Sequence, residues 1–178
     1  MRPWRPGQRK SDTASMLRVD QAGEYGATRI YAGQLAILRR NSPASKLVSR
    51  MADQEKRHLR RFDALMSERR VRPTVLQPIW NVAGFALGAA TALMSEKAAM
   101  ACTEAVETEI DLHYGQQLDE LGSDDPELAT DIAQFRAEEL EHRDVARDAG
   151  AAQAVAYPLL TAAIRAGCRV AIGLSKRI

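Results

Sequence analysis

The sequence predicts an all-α protein: a four-helix bundle built from two duplicated helical hairpins, plus two apolar or amphipathic helices associated with a membrane. Three observations carry that reading. Four stretches place apolar residues at steps of three, four or seven, the spacing of one helix face. An acidic and histidine signature occurs twice with nearly the same spacing: Glu55-Lys56-Arg57-His58 begins 31 positions after Glu24, and Glu139-Leu140-Glu141-His142 begins 32 positions after Glu107. No stretch has the pattern of a strand.

Residues 1–14 hold Arg2, Arg5, Arg9 and Lys10 among Pro3, Pro6 and Gly7, which suggests a basic flexible tail. The tail lacks the apolar core of a secretory signal and is short for an organelle transit peptide. Residues 15–178 are enough for one domain with a sizeable core. The first bundle helix is expected over 15–40, with Leu17, Glu24, Tyr31 and Leu38 on one face, and breaks at Asn41-Ser42-Pro43. The second spans 44–70, completing a hairpin over 15–70. Its face carries Leu47, Met51, Glu55, His58, Phe62 and Leu65.

Residues 74–95 contain no charge. Pro78 marks a helix start there, and a helix over 78–95 is expected. Its apolar part would reach about 24 Å at ~1.5 Å per residue, short of the roughly 30 Å hydrocarbon core. An interfacial helix or a pocket wall fits better than a membrane span, and Trp80 and Phe85 suit a headgroup boundary. The second hairpin covers 98–150. Its first helix aligns Met100, Thr103, Glu107, Ile110, Tyr114, Leu118 and Leu121; Gly122-Ser123-Asp124-Asp125-Pro126 makes the turn. Its second helix aligns Leu128, Ile132, Phe135, Glu139, His142 and Val145. The last helix, 156–176, has an apolar face of Leu159, Leu160, Ala163, Ile164, Gly167, Val170, Ala171 and Leu174, with Arg165, Arg169, Lys176 and Arg177 elsewhere. Such a helix can lie on an anionic membrane surface; the alternative is that it caps the bundle or forms a homo-oligomer interface.

Each bundle stripe carries acid, or acid and histidine, at its middle. Glu-x-x-His places a carboxylate and an imidazole about one turn apart on one face. Two such pairs plus two lone glutamates form the ligand set of a dinuclear site inside a four-helix bundle. The candidate metal ligands are therefore Glu24, Glu55, His58, Glu107, Glu139 and His142. Four buried carboxylates need compensation, and two divalent cations would neutralise them. A set without thiolate suits iron or manganese better than structural zinc. Glu109, Glu138 and Glu141 fall off these faces and read as solvated surface. His113 lies six residues beyond Glu107 and reads as a surface or supporting group. Tyr31 and Tyr114 each follow a lone glutamate by two turns, about 11 Å; they are core tyrosines or line a route to the metals, with Tyr114 a possible catalytic group. Asp20 and Asp111 could orient ligands. Gly23 and Gly26 serve either close helix packing or room beside the metal, each costing about 1 kcal/mol of helix stability against alanine.

A net charge of +2 does not argue for nucleic acid. Two cysteines, Cys102 and Cys168, make no disulfide framework and point to a reducing compartment.

Beyond the ligands, the chain carries Arg18-Val19-Asp20-Gln21-Ala22-Gly23-Glu24-Tyr25-Gly26-Ala27, Asp53-Gln54-Glu55-Lys56-Arg57-His58, Arg70-Val71-Arg72-Pro73-Thr74 and Trp80-Asn81-Val82-Ala83-Gly84-Phe85-Ala86-Leu87-Gly88. It continues with Ala99-Met100-Ala101-Cys102-Thr103, Glu138-Glu139-Leu140-Glu141-His142 and Ala166-Gly167-Cys168-Arg169-Val170-Ala171-Ile172. In these stretches the chain, from about Leu17 onward, resembles the demethoxyubiquinone hydroxylases of ubiquinone biosynthesis, ferritin-like di-iron monooxygenases. All six ligand positions match that family's motif. The resemblance implies two iron ions cycling between Fe2+ and Fe3+, O2 as co-substrate, and hydroxylation of a demethoxyubiquinol ring. It further implies an isoprenoid quinone substrate, a reduced nicotinamide as possible electron donor, and a possible lipid-binding accessory protein. The expected location is peripheral, on the cytoplasmic face of a bacterial inner membrane or the matrix face of the mitochondrial one. A ferroxidase would use the same six ligands, and a non-catalytic membrane scaffold of the quinone-biosynthesis complex would need only the apolar helices; both remain alternatives at this point.

Overall fold

The computed structural model describes residues 11–177. Six α-helices follow one another: α1 (Thr13–Ile37), α2 (Pro43–Glu68), α3 (Gln77–Met94), α4 (Glu96–Leu121), α5 (Pro126–Asp148) and α6 (Tyr157–Ser175), with a short 3-10 turn at Ala151–Gln153 before α6. Short polar side chains start the four long helices by accepting a bond from a first-turn amide. Asp12 accepts from Ser15, Ser42 from Ser45, Ser95 from Ala98 and Asp125 from Leu128. Proline at the first turn of α2 and α5, where no amide donor is needed, fixes their starts further.

α1 begins inside the stretch expected to be a flexible tail. Ser11 explains part of the shift, since its amide and hydroxyl both bond the Asp124 carboxylate at 3.1 Å and tie the chain to the α4–α5 turn. The rest of the basic tail lies outside the described residues. At its other end α1 stops at Ile37, because a turn at Arg39–Ser42 with Asn41 at φ 63° carries the chain into α2.

α1, α2, α4 and α5 form the bundle. Their apolar stripes meet in two clusters. Leu17, Phe62, Leu65, Tyr114, Leu121, Leu128 and Ile132 pack at one end. Leu38, Val48, Met51 and the alanine-rich start of α4 pack at the other. Fully burying each large apolar side chain contributes about 1.5–3 kcal/mol. Along every bundle helix the Glu and His positions fall between the two clusters, so rigid packing above and below sets their placement.

α3 and α6 are outer elements. α3 buries only Gly84, Gly88, Thr91 and Ala92, and α6 only Ile164 and Ser175. α3 lies against α1 at near backbone contact. A methyl at Gly33 would run into the Phe85 carbonyl oxygen, and one at Gly88 into that of Ile30. α6 packs on α4, and the Trp80 indole N–H bonds Ser175 Oγ at 3.1 Å to join the two outer helices. Among the described residues no helix is long and apolar enough to cross a membrane.

Candidate metal centre

The structure brings all six predicted residues together, each almost fully buried. Two overlapping groups can each present one ligand atom per residue within 4.8 Å: Glu24, Glu55, His58 and Glu139, and Glu55, Glu107, Glu139 and His142. Glu55 and Glu139 belong to both. His58 Nδ1 lies 3.0 Å from Glu139 and 3.4 Å from Glu24. His142 Nδ1 lies 3.0 Å from Glu139 and 3.1 Å from Glu55.

The electrostatics are those of a buried cluster that could hold cations. Burial pushes the Glu55 and Glu107 carboxyls well above their ordinary range, and the neighbouring charge of Glu139 pushes the same way. Burial opposes the Glu139 carboxylate too, yet hydrogen bonds from His142 and His58 hold it down at about 2. Burial would lower His58, but its bond to Glu139 and the nearby charges of Glu24 and Glu139 raise it to about 11. Four of the glutamate oxygens, Glu24 Oε2, both of Glu55 and Glu107 Oε2, have no hydrogen-bond partner. Orphaned buried carboxylate oxygens are costly. Aimed together beside two imidazoles, they fit a pair of hard or borderline divalent cations.

Supporting contacts follow an approximate two-fold relation between the hairpins. Tyr31 bonds Glu107, and Tyr114 bonds Glu24. Both tyrosines are therefore buried groups with satisfied hydroxyls. The outer ring nitrogen of His58 bonds Glu138 at 3.0 Å, and that of His142 bonds Gln54 at 3.0 Å. Phe135 stacks on the His58 ring with centroids 4.1 Å apart.

Several expectations are corrected. Glu138 is not a solvated surface acid: it buttresses His58 and also meets Arg57 and Gln134. Glu109 is buried and paired with Arg165 at 2.6 Å. Glu141 is exposed, as expected. His113 is buried beside Asp20, 3.3 Å away. Asp20 accepts from Gln117 at 2.8 Å, and Asp111 pairs with Arg136 and Arg143, so both acids tie helices together rather than orient a ligand. Gln54 and Gln117 carried no sequence signal, because a glutamine beside a helix face is unremarkable until its partner is known.

An apolar cavity of about 560 Å³ lies between α1, α3, α4 and α6. Ala22, Gly23, Gly26 and Ala27, around Glu24, form one wall; Val106 and Ile110, around Glu107, form another. No atom approaches the missing β-carbons of Gly23 and Gly26, so these glycines leave space rather than admit a helix. Trp80, read from sequence as a headgroup-boundary residue, lines this cavity.

Comparison with known proteins agrees with this arrangement. The chain is 57% identical over 162 residues to the 3-demethoxyubiquinol 3-hydroxylase of Rhodospirillum rubrum, covering 91% of this chain and 76% of that protein. It is 54% identical over 167 residues to the mitochondrial NADPH-dependent 3-demethoxyubiquinone 3-hydroxylase of Homo sapiens, covering 92% and 76%. It is 45% identical over 179 residues to the mitochondrial 5-demethoxyubiquinone hydroxylase of Saccharomyces cerevisiae, covering 92% and 77%. Residues 11–175 match the family described as ubiquinone biosynthesis protein COQ7, and the chain belongs to that family.

Proposed function

We propose that this protein is a di-iron monooxygenase that hydroxylates the ring of a demethoxyubiquinol in ubiquinone biosynthesis. The observation that carries this is the placement of the buried Glu and His cluster directly behind the wall of an apolar cavity. Glu24 and His58 would hold one iron, Glu107 and His142 the other, with Glu55 and Glu139 shared. Bound iron supplies the activation of dioxygen that an organic side chain cannot.

The chain's own residues set the conditions for that chemistry. The carboxylates concentrate negative charge and give up protons as cations enter. Tyr31 and Tyr114 fix one oxygen each of Glu107 and Glu24. Glu138 and Gln54 fix the histidine rings so that Nδ1 faces inward. The cavity walls exclude water and accept an apolar ring bearing a long isoprenoid chain. With no strand among the described residues, there is no dinucleotide-binding βαβ unit; a reduced nicotinamide, present in the name of the human relative, would act transiently or through a partner.

The substrate resides in a bilayer, and the outer helices suit a peripheral membrane position. Val82 of α3 and Leu159 of α6 are 69% and 74% exposed. α6 therefore has apolar residues on two sides, Ile164 toward the cavity and Leu159 and Val170 outward. Relatives come from bacteria and mitochondria; this chain would dock on the cytoplasmic face of a bacterial inner membrane.

The test is an anaerobic single turnover. Ferrous-loaded protein receives a short-chain demethoxyubiquinol, then labelled dioxygen, and the product is weighed. One labelled oxygen atom in the ring is expected. Iron oxidation with unaltered quinol would overturn the hydroxylase reading in favour of a ferroxidase.

A further inference from the structure

The two hairpins repeat each other closely, which makes a chemical difference in the outer supports of the two histidines informative. The residue before the glutamate of each Glu-x-x-His pair reaches across to the outer nitrogen of the opposite histidine. From α5 it is Glu138, 3.0 Å from His58 Nε2; from α2 it is Gln54, whose Oε1 is 3.0 Å from His142 Nε2. The same geometry thus delivers a carboxylate to one imidazole and a neutral amide to the other. Gln54 Nε2 also donates to Glu138 at 3.5 Å, so the two supports form one bridge on the α2–α5 side, away from the cavity.

We propose that this bridge makes the two metal positions unequal: the position served by His58 binds its metal more tightly than the position served by His142. A carboxylate accepting the outer N–H makes an imidazole more electron-rich at the opposite nitrogen than an amide does. The inner nitrogens share Glu139, each Nδ1 lying 3.0 Å from it; His58 Nδ1 also lies 3.4 Å from Glu24, and His142 Nδ1 3.1 Å from Glu55. Arg57 and Gln134 also contact Glu138, at 3.2 and 3.1 Å. Arg57 is more than half exposed, so solvent screens its pull on the carboxylate. Glu138 and Gln54 are positioning residues, acting through the histidines. The consequence is division of labour, with one metal held firmly and the other more readily exchanged. This inference rests on the dinuclear reading above.

The test is a titration of the metal-free protein with Co2+, followed by calorimetry and visible absorption. One equivalent of Mn2+ is then located by anomalous diffraction. Outer supports of metal ligands typically change affinity by about 10–100-fold. Two binding steps separated by about tenfold are expected, with the first equivalent beside His58. Glu138→Gln should bring the two affinities together. The isosteric exchange Gln54→Glu with Glu138→Gln keeps one carboxylate and one amide in the bridge, and should move the first equivalent to the position beside His142. Equal affinities in the native chain, or an unmoved first equivalent in the exchanged variant, would overturn the proposal. Failure to bind two equivalents at all would overturn it together with the dinuclear reading.

Discussion

The Tyr31 hydroxyl donates a 2.6 Å hydrogen bond to Glu107 Oε1, reaching across the bundle rather than along its own helix. Tyr114 makes the reciprocal bond to Glu24. Each tyrosine stands seven residues beyond one lone glutamate and fixes the other, so each hairpin holds the lone carboxylate of its twin. Glu107 Oε2 has no partner of its own. Both oxygens of Glu107 would be left bare if the tyrosine hydroxyl were removed.

Tyr31→Phe should therefore destabilise the metal-free protein by about 1–3 kcal/mol, the cost of orphaning a buried polar group. Urea denaturation with and without saturating metal measures it. The loss should shrink in the loaded protein, where a cation takes over the orienting role. An unchanged midpoint in the metal-free state would remove the hydroxyl from the argument.

The same burial predicts an unusual pH response. Burial and the Glu139 charge raise Glu55 and Glu107 well above the ordinary 4.5 in the folded state. The hydrogen bond to Glu139 and the charges of Glu24 and Glu139 overcome burial at His58 and raise it from 6.5 to about 11. A folded value above the unfolded one stabilises fully below the unfolded value and is lost as pH rises toward the folded value. The glutamate contributions therefore start to fall above 4.5, and that of His58 above 6.5. Glu139, lowered to about 2, loses its contribution only in acid. The melting temperature of the metal-free protein should fall steadily from about pH 5 to about pH 9. Metal affinity should rise over the same interval as cations displace protons. A flat melting temperature would contradict the charge balance described for the cluster.

Much of this was legible in sequence because the candidate ligands lie on the faces that pack. Glu24, Glu55, Glu107 and Glu139 interrupt apolar stripes, and helical periodicity alone reports such interruptions. Contacts between helices were not legible. Glu138 and Glu109 sit off the stripes of their own helices, and only the approach of α2 and α6 turns them inward. The same limit applies to Gly33 and Gly23. Both are helical glycines in one segment, yet one admits the α3 backbone and the other borders open cavity.

That contrast yields a paired prediction. Gly88→Ala would push a methyl into the Ile30 carbonyl and force α3 from α1, with a stability loss of about 1–3 kcal/mol by the overpacking rule. Gly26→Leu meets no neighbour at its β-carbon and projects into the cavity. It should leave stability close to native while lowering kcat/KM for the quinol about tenfold or more, through occupied substrate volume. Denaturation and steady-state turnover distinguish the two. Normal turnover in Gly26→Leu would mean that the ring does not use this cavity.

Arg165 is not simply a cation presented to a membrane. Its guanidinium lies 2.6 Å from Glu109, a nearly buried acid of α4, and Arg169 approaches the same oxygen at 3.6 Å. Arg165→Gln should loosen α6 from α4, because truncating one partner leaves a buried charge poorly compensated. Hydrogen exchange in residues 157–175 should rise. Adding Glu109→Gln removes the stranded charge and should restore much of the protection, since two amides can bond each other. Binding to anionic vesicles should respond less to Arg165→Gln than to loss of Lys176 and Arg177, which are exposed and have no ion pair among the described residues. Equal protection in all three proteins would show that apolar contacts alone seat α6, and that the pair contributes nothing to closing the cavity.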